Sequence, residues 1–139
     1  VGSGGSGGAG AANGSSGGDS SFGSLVVADG GDGGTSTAFG TTLATVSGRV
    51  QSQSPTGDFI VLGGQAGGAV RLSASQGFAN GGGDSFLGTI SVTYGSGTGN
   101  GVNNDSHGGG GSGCLARNGE GAHTGGRGGD GIVILEMYA

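Results

Sequence analysis

The sequence predicts an all-β domain in which short strands are interleaved with ordered, polyproline-II-like glycine segments and helix is nearly absent. Three observations predict it. Glycine fills 42 of 139 positions and proline one, which removes a collagen triple helix, since that needs glycine at every third place and abundant imino acid. The β-branched and aromatic residues gather in short stretches bounded by glycine, as strands do. No window carries an i, i+3, i+4, i+7 apolar pattern over three turns, so nothing supports a helix.

Four stretches carry the strand signal: Phe22 to Ala28, Phe59 to Leu62, Phe86 to Tyr94 and Ile132 to Tyr138. In the third, Ile90, Val92 and Tyr94 alternate with threonine and serine while Leu87 is out of phase, which predicts a bulge near Gly88. Thr41 to Val50 alternates more weakly and reads as an edge strand, followed by a turn around Pro55. Between these lie glycine-dominated runs at 1–18, 30–34, 63–68, 81–83 and 95–131. A polyproline II segment makes no internal hydrogen bonds, so each run offers N–H and C=O groups to neighbours, and only glycine lets such segments approach closely. Residues 1–18 are expected as a flexible or partly ordered opening segment, and 19–139 as one glycine-rich β domain. Gly-Gly-Asp recurs at Gly17, Gly82 and Gly128, leading into three of the strands, so Asp19, Asp84 and Asp130 are expected to accept backbone N–H bonds.

Ordering each glycine costs roughly 0.5–1 kcal/mol more than alanine in a regular element. A folded form must offset this with close backbone packing, or with burial shared between copies of the chain, as in a homotrimer. Leu, Ile, Val and Phe number only 26, but charge is also scarce, with four basic and nine acidic residues, so collapse is favoured over an open chain. The net charge of −5 argues against nucleic acid and anionic membrane as partners. No apolar run approaches the roughly 20 residues of a membrane helix. The opening at Val1, with no basic or apolar leader, is consistent with a fragment.

The only cysteine, Cys114, excludes an internal disulfide, and its histidine neighbours in sequence, His107 and His123, lack the scaffold of a cysteine nucleophile. The segment from Ala28 to Gly34 holds two aspartates but neither the third acid nor the glutamate of a calcium loop, so it reads as a turn, and no metal or cofactor is expected. A glycosidase needs two positioned carboxylates, and the only glutamates are Glu120 and Glu136. Recognition residues belong on loops held by a rigid framework. The polar break in the last glycine run offers Asn103, Asn104, Asp105 and His107, and a second cluster offers Arg117, Asn118 and His123. Phe39 and Phe78 read as core residues, with an exposed stacking platform as the alternative.

The segment Gly17 to Gly23, the hydrophobic Leu25 to Val27 and Gly30 to Gly34 that follow, and the closing Gly-Gly-Arg-Gly-Gly-Asp-Gly-Ile-Val-Ile-Leu-Glu-Met-Tyr from Gly125 to Tyr138 resemble the glycine-rich C-terminal domains of bacteriophage tail fibres and phage-derived fibre adhesins. Thr35 to Gln53 departs from that more uniformly glycine-rich pattern. The resemblance implies a non-enzymatic adhesin tip on a virion or cell-surface fibre. Its partner would be a bacterial surface polysaccharide, lipopolysaccharide or outer-membrane protein, and its assembly a homotrimer. A purely structural fibre module or assembly cap is the alternative.

Overall fold

A computed structural model describes residues 1–37, 40–46, 48, 54–58, 60, 63–88 and 98–138. Among them there is no helix, and five short strands form two antiparallel sheets. The all-β class is therefore the observed one. β1 (Ser20–Phe22) and β2 (Val26–Ala28) make a hairpin with Ser21 opposite Val27. β3 (Ala44–Val46), β4 (Ala69–Arg71) and β5 (Gly77–Phe78) make the second sheet in that order, with Thr45 opposite Val70 and Arg71 opposite Gly77.

Most of the architecture lies outside these strands. The glycine runs are joined by backbone hydrogen bonds whose register advances three residues at a time, the period of an extended threefold screw. Gly125, Gly128 and Gly131 donate to the carbonyls of Gly8, Gly5 and Gly2. Ser15 and Gly18 donate to Ser6 and Ser3, and Gly14 and Gly17 to Gly34 and Gly31. The same antiparallel step joins 108–115 to 80–83 and to 126–129, and joins 64–67 to 81–84. One pair is parallel: Gly101 and Asn104 donate to Thr124 and Arg127. The run 2–8 is thus bonded on two sides, to 15–18 and to 125–131.

Short polar side chains take up the N–H groups that this register leaves over. Asn13, Ser16 and Asp19, spaced by three, accept from the amides of Ser36, Gly33 and Gly30 at 2.8, 3.2 and 2.8 Å. Ser20 Oγ accepts from Gly2, and Asp130 Oδ1 from Gly4, at 2.9 and 2.8 Å. Asp19 and Asp130 therefore do accept backbone bonds, but from segments 11 and 126 residues away rather than from a local turn.

Close approach explains the glycine. A methyl group on Gly126 would lie 2.5 Å from the Val102 carbonyl carbon and 3.0 Å from Ser112 N. Gly31 and Gly34 instead face open space. The interior is correspondingly backbone: among the described residues the only buried hydrophobic side chain is Ala79, and the fully buried larger ones are Asn104 and Ser112. Between the runs lies a partly open hollow of about 560 Å³, walled mostly by glycine, serine and alanine.

The strand expectations need correction in several places. Phe22 to Ala28 is not one strand, because Gly23 takes φ +56° and Leu25 N bonds back to Phe22 O, closing a hairpin. Ile132 to Tyr138 is exposed and forms no strand. At Ser85 to Gly88 the chain turns back on itself through a bridge between those two residues, in place of the expected bulge; positions 89–94, Phe59, Val61, Leu62 and Phe39 lie outside the described residues. β4 and β5 were not anticipated. Phe78 lies on β5 and is exposed.

Candidate functional site

The register sorts the candidate residues into two ends of the bundle. The run 123–131 descends from one end to the other, and at about 3.1 Å per residue it spans roughly 25 Å. At its start are the bridges from Ala9 to Thr124 and from Gly99 to Leu115. At its finish, Gly131 N bonds Gly2 O and Gly108 N bonds Asp130 O. Arg117, Asn118 and His123 belong to the first end, whereas Asp105 and His107 belong to the second.

At the first end a tight turn is built on Gly119, whose φ of +85° only glycine adopts readily. Glu120 N donates to Arg117 O at 3.1 Å, and Arg117 N donates to the Glu120 carboxylate at 3.1 Å. Asn118 N donates to Ala74 O at 2.9 Å, fastening the turn to the loop between β4 and β5. His123 sits between two acceptors: Nε2 is 4.0 Å from Glu120 Oε2, and Nδ1 is 3.4 Å from Asn100 Oδ1. Arg117 and Asn118 are exposed, and the His123 side chain is about one quarter exposed. This brings a guanidinium, an amide, a carboxylate and an imidazole onto one face. Glu120 and Asn100 are the members that sequence reasoning did not assign to the cluster. For Asn100 the signal was spacing, since it stands three residues before Asn103, and both asparagines accept from the 123–131 run: Thr124 N at 2.9 Å and Arg127 N at 2.8 Å.

The candidates Asn103 to His107 are not brought together as one loop surface. Asn103 accepts from Arg127 N through its side-chain oxygen. Asn104 is fully buried. Its Nδ2 donates to Gly110 O at 3.2 Å, and its Oδ1 accepts from Ser106 N at 2.8 Å, so it fastens the loop and no ligand reaches it. Asp105 and His107 are exposed. His107 lies near Asp130, whose carboxyl is held below the usual aspartate range by the Gly4 amide first, then by Arg127, with His107 adding a smaller effect. Arg127 and Asp130 form an ion pair.

Cys114 is half-buried, and burial pushes its thiol up, partly opposed by its own backbone amide; Sγ donates to His123 O at 3.5 Å. It is the backbone oxygen of His123, not its imidazole, that meets the sulfur. Among the described residues no group of three histidine, cysteine, aspartate or glutamate side chains gathers as a metal would require. No described helix is long and apolar enough to cross a membrane. Compared with known families, characterised proteins and solved structures, the chain finds no match.

Proposed function

We propose that this chain is the non-enzymatic receptor-binding tip of a phage-type fibre, exposed on a virion or cell surface, and that it recognises a bacterial surface glycan or outer-membrane component. The observation that carries the reading is the turn at Arg117 to Glu120. It presents Arg117 and Asn118 outward with His123 beside them, from a framework cross-bonded every third residue. A turn whose backbone is held this way loses little backbone freedom on binding a polar ligand. The sequence resemblance to phage fibre tips points the same way. A hydrolytic role finds less support, since Glu120 and Glu136 stand beyond opposite ends of a run about 25 Å long, whereas glycosidase carboxylates sit about 5–9.5 Å apart.

The test is saturable binding of the fluorescently labelled chain to a panel of bacterial cells and to a glycan array. Arg117→Ala and Asn118→Ala are expected to weaken binding at least about tenfold with an unchanged melting temperature. A folded chain that binds neither cells nor glycans would refute the reading and favour a structural fibre module.

A further inference from the structure

An asparagine side chain can close a ring with the backbone amide of the next residue, and a following glycine, lacking Cβ, leaves that amide most open to the reaction. This chain holds four Asn-Gly pairs, beginning at Asn13, Asn80, Asn100 and Asn118, and three Asp-Gly pairs, beginning at Asp29, Asp32 and Asp130. The glycine framework engages or encloses six of these seven amides. Gly14, Gly101 and Gly131 donate to the carbonyls of Gly34, Thr124 and Gly2 at 2.9, 2.8 and 2.9 Å. Gly30 and Gly33 donate to Asp19 Oδ1 and Ser16 Oγ at 2.8 and 3.2 Å. Gly81 is buried, and its carbonyl and that of Asn80 accept from Gly67 and Gly113. Gly119 differs from all of them. Its amide has no acceptor among the described residues, it is exposed, and a methyl group built on it would meet nothing within 4 Å. The Asn118 side chain is exposed too, with no hydrogen-bond partner among the described residues. The bonds that frame this turn run between Arg117 and Glu120 and from Asn118 N to Ala74 O, and none of them uses the attacking nitrogen or the carbon it attacks.

We propose that Asn118 is a self-modifying site, which loses ammonia and becomes aspartate or isoaspartate as the protein ages. Gly119 N attacks Asn118 Cγ, so that the N–Cγ bond forms and the Cγ–Nδ2 bond breaks, and the amide proton of Gly119 leaves with Nδ2 as ammonia. Water then opens the cyclic imide. Hydrolysis at Cγ gives aspartate, and hydrolysis at the main-chain carbonyl gives isoaspartate, whose backbone runs through the side-chain carbons and is longer by one atom. Nothing is oxidised or reduced, and water is the sole co-reactant. Either product sets a new carboxylate in the turn that already carries Glu120, and the isoaspartate lengthens the loop closed by the 3.1 Å bond from Glu120 N to Arg117 O. The consequence for recognition rests on the ligand reading: the outward face loses the donors of an amide and gains a negative charge.

The test is to hold the folded chain at mildly alkaline pH and follow each Asn-Gly pair by peptic digestion and tandem mass spectrometry. Asn118 should convert at least about tenfold faster than Asn13, Asn80 or Asn100, whose neighbouring amides react after local opening of the framework. In urea that lead should vanish. A smaller lead in the folded chain, or one that persists in urea, overturns the proposal. Asn118→Asp, which installs the product's charge without the reaction, should weaken cell binding at least about tenfold, and undiminished binding overturns the link to recognition. The two readings fail separately: a chain that binds cells while Asn118 shows no lead sinks only the modification site, and a chain whose Asn118 leads but which binds no cells or glycans sinks only the ligand site.

Discussion

Substituting one interior glycine and one edge glycine gives the sharpest test of how this fold is held. In Gly126→Ala the new methyl lies 2.5 Å from the Val102 carbonyl carbon and 3.0 Å from Ser112 N, where ordinary contact begins at 3.4 Å. Both obstacles are backbone, so no side-chain rotation relieves them. Clearing the Val102 carbonyl, whose oxygen is nearer still, moves it by at least about 0.9 Å and stretches the bonds Ser112 N to Val102 O, now 3.0 Å, and Gly101 N to Thr124 O, now 2.8 Å, past hydrogen-bonding range. Losing two such bonds in an enclosed place costs about 1–3 kcal/mol each, and the overpacking roughly 1–3 kcal/mol more. The sum, about 3–9 kcal/mol, rivals the whole stability of a small domain. Gly31→Ala meets nothing within 4 Å, and its φ is not in the left-handed region. Reduced freedom of the unfolded chain should then stabilise it by about 0.4–1 kcal/mol. Thermal and urea unfolding followed by circular dichroism measures both. A Gly126→Ala protein that melts with the wild type, or a Gly31→Ala protein destabilised by more than 1 kcal/mol (roughly the upper bound of the expected gain, reversed), would refute the backbone-contact account.

Asn104→Ala should cost about 2–4 kcal/mol, since it strips the Ser106 amide and the Gly110 carbonyl of a partner deep in the structure; chemical denaturation reads this, and a loss under 0.5 kcal/mol contradicts the assigned role. Asp130 has a folded-state pKa below its unfolded value, so its stabilising effect is full above the unfolded value near 4 and fades as pH falls through the folded one. Asp130→Asn should accordingly flatten the loss of stability below about pH 4, as melting temperatures from pH 2 to 7 would show; an unaltered acid profile argues against the Gly4 and Arg127 contacts.

Much of the fold class was legible because composition excludes collagen and the missing helical periodicity argues against helix, and Ala44 to Val46 lies where weak alternation placed an edge strand. The glycine register was harder to see. Glycine marks no face, so the period of three shows only where a short acceptor interrupts the run, as at Asn13, Ser16 and Asp19 or at Asn100 and Asn103. Ile132 to Tyr138 misled in the opposite way, since its residues favour a strand but composition does not supply the pairing that a strand needs, and the segment forms none. In the site, Arg117, Asn118 and His123 were legible as polar breaks in a glycine run. The burial of Asn104 was not, because it depends on Gly109 and Gly110 leaving room for an amide from six residues back.

The bond between Gly4 and Asp130 joins residues 126 positions apart, and the whole 2–8 run rests on amides from 125–131. Of these two stretches the one synthesised earlier therefore lacks one of its neighbours until the later one arrives. Contacts of such long sequence separation fold slowly, and unpaired edges stay open meanwhile. The nascent chain should accordingly gain its framework late and all at once, and a product stopped before residue 125 should leave the 2–8 run without the partner that fixes its place.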